Sequence, residues 1–197
     1  MRRAVLAVVI AVWCPSFLVA EQGDRLPGGP IERLTSEARE LALACGRSGP
    51  ECAVQRYELC REGSAHYAVR LITPFSRVAE AAFDSQQTGK PLGRMGPATV
   101  NRWGIALSVA PAQRSEAAAA IKSVEIQRGQ VLIQPTRSTV GPLTAEAADG
   151  SARQLARGFF VFPASAFEPT SDITIVLAGS SGEESCTISQ ELLRDLQ

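Results

Sequence analysis

Arg102-Trp103-Gly104-Ile105-Ala106-Leu107-Ser108-Val109-Ala110 alternates large apolar side chains with small or polar ones. In an extended chain Trp103, Ile105, Leu107 and Val109 point one way, and Arg102, Gly104, Ala106 and Ser108 the other. That period of two predicts a β-strand with one buried face and one face turned to small or polar groups. The chain that follows is punctuated like a β domain. Residues 124–126 and 131–133 flank Arg128-Gly129, a hairpin signal in which glycine supplies the positive φ of the turn. Pro135 has no ladder donor, so the second of these strands ends there or lies at an edge. Residues 136–143 form a further short strand, closed by Gly141-Pro142, and Asp149-Gly150 is a turn ahead of a strand over 154–162. Phe160 and Phe162 share one face of that strand, Phe159 and Val161 the other. Residues 173–177 read as a short buried strand, Ser180-Ser181-Gly182 as its turn and 185–188 as the return. Ser189 caps a last helical turn through Leu193. About seven short strands between Trp103 and Ile188 match the spacing of an immunoglobulin-like antiparallel β-sandwich. The match rests on strand count and turns, because Cys186 is alone in this region and the cysteine–tryptophan pin of antibody domains is missing.

Upstream the periodicity changes. Leu34, Ala38, Leu41 and Ala42 fall at helical spacing over residues 31–44, with Gly46 where a helix stop is expected. Pro50-Glu51 opens a second helix, and residues 52–60 fit either a short helix or a strand with Tyr57 and Leu59 on one face. A strand is expected over 66–73. A helix over 74–88 is the clearest in the chain: Thr73 caps it, Pro74 starts it, and Gly89 stops it. Its stripe of Phe75, Val78, Ala79, Ala82 and Phe83 suits docking on a sheet, and it lacks the basic polar face of a membrane-surface helix. The fold class is therefore α+β, mainly β. A helical, cysteine-rich region with one strand–helix unit (31–98) precedes the sandwich domain (99–197).

The start of the chain reads as a targeting segment. Met1-Arg2-Arg3, an apolar run over 4–13 and Leu18-Val19-Ala20 follow the order of a secretory signal peptide, 1–20, with the mature chain starting at Glu21. Leu18 departs from the small residue preferred there, and the alternative is a retained anchor. The apolar run is shorter than the roughly 20 residues a spanning helix needs. Arg2-Arg3 lacks the rest of a twin-arginine signal, and Trp13 before Cys14 does not suit lipidation. Residues 21–30, with too little apolar content to fold, read as a flexible leader.

The 20 basic and 20 acidic residues balance, and loss of Arg2 and Arg3 leaves 18 against 20. Nothing in that balance attracts nucleic acid or an anionic membrane. Only Lys90 and Lys122 are lysines, an arginine bias that reads as base composition of a GC-rich genome more than as a binding surface. Cys45, Cys52, Cys60 and Cys186 remain after Cys14 is removed, and an even number behind an export signal reads as two disulfides. Cys186 then needs a partner in the N-terminal region. A tight turn over 46–50 would bring Cys45 to Cys52 and leave Cys60 for Cys186; the other two connectivities remain sterically open. Zinc-like spacing is absent.

His66 is the sole histidine, so any Ser-His or Cys-His chemistry must use it. Ser48 and the run Gly179-Ser180-Ser181-Gly182 lack the spacing of a nucleophile elbow. Glu183 and Glu184 are neighbours that would face opposite ways, and they read as a solvated turn. The glycines near Lys90 and Arg94 lack phosphate-loop spacing. Phe159, Phe160, Phe162 and Phe167 read as sandwich core. No catalytic residue, cofactor or metal site is expected. The expectation is an exported, periplasmic or secreted, non-enzymatic protein with a binding or envelope-structural role. Its partner would be a protein or envelope component, not nucleic acid, with no membrane span after signal cleavage. The alternatives are an exported hydrolase using His66 and a carrier holding an apolar ligand between helix and sheet.

Overall fold

The computed structural model describes residues 33–60, 66–112, 120–146, 152–180 and 182–196, with side chains of 143–146 and 152–155 excepted. The signal segment 1–20, the leader 21–30, the Asp149-Gly150 turn and Ser181 lie outside the described residues. Thr35 opens helix α1 (Ser36–Ser48), its hydroxyl accepting from the Ala38 N–H at 3.1 Å. Gly46 does not stop α1 but lies buried in its last turns. Packing explains this: a Cβ there would meet the Ala79 carbonyl oxygen at 2.2 Å, so glycine lets two helices touch. The stop is Gly49, at φ 135°, and Pro50 begins α2 (Pro50–Ala53). A 3-10 turn over Gln55–Tyr57 and strand β1 (Glu58–Leu59) follow. The segment that fitted either helix or strand is thus both in succession.

Strand β2 (Tyr67–Ile72) leads into α3 (Pro74–Thr88). A capping box fixes the start of α3: the Ser76 N–H donates to Thr73 Oγ1 at 3.0 Å, and the Thr73 N–H donates to Ser76 Oγ at 2.8 Å. Gly89 closes the helix at φ 66°. The stretch leading to the alternating segment contains α4 (Pro97–Val100) and a 3-10 turn over Asn101–Trp103. Strand β3 (Ile105–Pro111) therefore starts later than the alternation suggested, after Gly104 at φ 64°. Trp103 stays outside it. The small-residue face is covered as well, because Ala106 and Ser108 are buried along with Ile105, Leu107 and Val109. Helix α3 reaches the small-residue side, where its Glu80 pairs with Arg70 of β2.

Strands β4 (Ile121–Arg128), β5 (Val131–Ile133), β6 (Arg137–Glu146), β7 (Ala152–Phe162), β8 (Ile173–Gly179) and β9 (Gly182–Ile188) complete two sheets, followed by α5 (Gln190–Asp195). The larger sheet has the order β1-β2-β3-β7-β6 and the smaller β5-β4-β8-β9. Every pairing is antiparallel. The chain changes sheet between β5 and β6, and Pro135 sits in that crossover, where no ladder donor is required. Leu107, Val109 and Phe160 of the larger sheet belong to one hydrophobic core with Ile126, Ile175 and Leu177 of the smaller. Ala42 of α1 and Val78 of α3 extend the same core. The protein is α+β with two antiparallel sheets and a few helices. Because β2 pairs with β3 from Tyr67↔Pro111 to Ile72↔Ala106, position 98/99 falls between neighbouring strands of one sheet.

Two disulfides join these parts. Cys45–Cys52 links α1 to α2, and Cys60–Cys186 links the end of β1 to β9 across 126 residues, each with Cα atoms 5.5 Å apart. No helix of the described residues is long and apolar enough to cross a membrane. Both features are consistent with an extracellular or periplasmic location.

Candidate functional site

Residues directly opposite in neighbouring strands share a face of the sheet. One row of the larger sheet reads Glu58, Arg70, Ser108, Phe159, Thr139, and the next reads Ile72, Ala106, Val161, Arg137. These rows lie on the opposite side from Leu107 and Phe160, which belong to the core. Arg157, two residues before Phe159, lies on the same side by strand alternation. Helix α3 adds Arg77 and Glu80 to this face. The Arg77 guanidinium stacks on Trp103, its Cζ 5.1 Å from the ring centroid. Arg70 Nη1 meets Glu80 Oε1 at 2.9 Å.

The charges are unevenly spread. Both acids, Glu58 across the ladder and Glu80 in its ion pair, neighbour Arg70. Arg77, Arg137 and Arg157 lie towards the β7–β6 side. Burial pushes the Arg77 guanidinium below its ordinary range; Glu80 works against that shift and Arg137 adds to it. The Nε atoms of Arg77 and Arg157 are closed to water and have no hydrogen-bond partner among the described residues. Between these cations Phe159 is 39% exposed, and Trp103 beside Arg77 is 40% exposed. Phe159 is thus no part of the core, whereas Phe160, Phe162 and Phe167 are. An aromatic surface set among incompletely paired guanidiniums can hold an anionic, partly apolar group by stacking and by forked hydrogen bonds.

His66 lies elsewhere, just before β2. Its Nδ1 contacts Glu184 Oε1, and its backbone N–H donates to Glu184 Oε2 at 3.4 Å. The reading of Glu183-Glu184 as a solvated turn is corrected for Glu184. It lies within β9 opposite the fully buried Leu177, with its side chain 17% exposed. The serine candidates are not brought to His66. Ser48 donates to the Cys45 carbonyl at 2.7 Å, and Ser180 Oγ accepts from the Ala120 N–H at 3.0 Å. A cleft of about 460 Å³ lies against α1 and α3, lined by Leu43, Arg47, Ala82, Ser85, Gln86 and Leu92. That is a helix-lined surface and not the helix–sheet cavity a carrier would use.

Sequence reasoning treated the arginines as a compositional bias and did not find this face. Arg157, Phe159 and Val161 share parity along one strand, which was the available signal. Nothing in the sequence placed Arg77 and Trp103 beside them, because α3 and the turn before β3 meet only in the folded chain. Comparison with family models, curated proteins and solved structures returned no match to this chain.

Proposed function

We propose that this is an exported, disulfide-stapled, non-catalytic binding module whose partner docks on the α3-flanked face of the larger sheet. Export follows from the signal-like residues 1–20, with Glu21 as the mature start in the periplasm or outside the cell. The observation that carries the binding reading is the pair of exposed aromatics, Trp103 and Phe159, set among Arg77, Arg137 and Arg157. Aromatic and arginine side chains are the usual anchors of protein interfaces. On this reading the two sheets form an immunoglobulin-like sandwich that acts as a rigid support, as sandwiches do for unrelated binding tasks. A hydrolytic role would rest on the His66–Glu184 pair. It is the weaker reading, since no hydrogen bond joins His66 to a serine or cysteine among the described residues.

The test is affinity capture from the native envelope with three baits: the exported protein, its Phe159→Ala variant and its His66→Ala variant. Intact mass of the bait should show a chain starting at Glu21. A partner retained by the first and third baits and lost with the second supports the proposal. Equal retention by Phe159→Ala sinks the docking face, and a His66-dependent hydrolytic activity in the same eluates would replace the binding role.

A further inference from the structure

We infer that the Arg77–Arg137–Arg157 side of this face is a receptor site for carboxylates, and that the partner is an acidic protein segment carrying them. The inference rests on the docking face proposed above and names what that face recognises. Three observations lead to it. First, the two acids of the face, Glu58 and Glu80, neighbour Arg70, and Glu80 also acts on Arg77, so Arg137 and Arg157 are the guanidiniums of this face that make no ion pair among the described residues. Second, Arg77 is held in place from one side by Trp103. A guanidinium stacked on an aromatic ring is pre-oriented, with its edge left for a planar acceptor. Third, Arg77 and Arg157 are partly buried with their Nε atoms closed to water, so an anion would meet the outer nitrogens of each fork. A partly desolvated guanidinium holds a carboxylate more strongly than a fully hydrated one.

The apolar surroundings select among anions. Phe159 and Val161 lie in the same strand as Arg157, and Trp103 borders Arg77. A singly charged carboxylate on a methylene stem can set its stem against these rings while its two oxygens meet a guanidinium fork. A phosphate dianion would have to lose more water to approach the same surface. The site therefore suits glutamate or aspartate side chains of an extended segment better than free phosphate.

The probe is an acetylated, amidated hexaglutamate peptide, added to the 15N-labelled exported protein. The Trp103 indole N–H signal reports on the stacked Arg77. Inorganic phosphate and sodium chloride at equal ionic strength are the parallel arms. The expected result is a saturable shift of the Trp103 signal with the peptide and none with chloride. Arg137→Gln, a change at an exposed strand position, should weaken peptide binding at least tenfold while leaving signals of the core unchanged. A shift reproduced by chloride would reveal screening only and overturn the site. Tighter binding of phosphate than of the peptide would overturn the carboxylate assignment. If envelope capture is lost in Phe159→Ala yet intact in Arg137→Gln, the docking face stands and the carboxylate site falls.

Discussion

Tyr57 shows what burial does to one polar group. Its ring is fully enclosed and its hydroxyl has no hydrogen-bond partner among the described residues. Burial pushes its pKa up to about 12 from 10.0, against an opposing pull from Arg56. The folded protein thus holds the phenol proton more tightly than the unfolded chain. The stability this provides is fully present below the unfolded pKa near 10. It is lost as pH rises through the folded value, because the unfolded state releases its proton first. The loss should amount to on the order of 2–3 kcal/mol between pH 10 and 12. Tyr57→Phe should flatten this decline and, at neutral pH, stabilise by about 1 kcal/mol through removal of an unsatisfied hydroxyl. Urea midpoints of both proteins across that pH range decide it. An unchanged alkaline decline in Tyr57→Phe would move the responsible group elsewhere.

Among the elements, α1 and α3 depend on Gly46. A Cβ at this position would meet the Ala79 carbonyl oxygen at 2.2 Å and the Ala82 Cβ at 2.6 Å. Neither is a flexible side-chain end, so the helices must separate. Gly46→Ala gains about 1 kcal/mol of helix propensity and loses more through overpacking, which typically costs about 1–3 kcal/mol. A net loss of up to about 2 kcal/mol is expected from thermal or urea unfolding, and a stabilised variant would refute the close approach. The sequence placed a glycine here but read it as a stop, since a helix end and a helix contact ask for the same residue. Helix α3 was legible because Thr73, Pro74 and Gly89 act locally, within a turn of the backbone they cap. Strand β3 was legible in its alternation and not in its burial. Small residues such as Ala106 and Ser108 look alike in sequence whether water or a helix covers them. The arginine- and aromatic-bearing face was missed for a related reason: its parts come from α3, the turn before β3, and the β6–β7 pair, which only the sheet order brings together.

For the whole molecule, the question is what holds the hairpin of β1 and β2 against the smaller sheet. Cys186 and Glu184 are two residues apart on β9 and share its inner face, opposite Ile175 and Leu177. Cys186 bonds Cys60 at the end of β1, and Glu184 pairs with His66 at the start of β2. One edge strand is therefore tied to one hairpin twice, once covalently and once by a polar contact. The bridge closes 126 residues, against 7 for Cys45–Cys52. In the chain-entropy model these loops correspond to about 5 and about 2.5 kcal/mol. Cys60→Ala with Cys186→Ala should consequently cost roughly twice as much stability as Cys45→Ala with Cys52→Ala, measured by urea unfolding. Equal costs would show that loop length does not set the effect here. The polar tie adds a sharper test. His66 is partly exposed, so His66→Ala alone should cost no more than about 1 kcal/mol while the bridge keeps β9 in place. Without the bridge, the His66–Glu184 contact carries more of the attachment between these two segments, and the same substitution should cost more. Residues that hold one contact in common are not additive, and an excess above about 0.5 kcal/mol in the double-mutant cycle is the expected outcome. Strict additivity would mean that β9 stays seated through its ladder with β8 and the shared core alone.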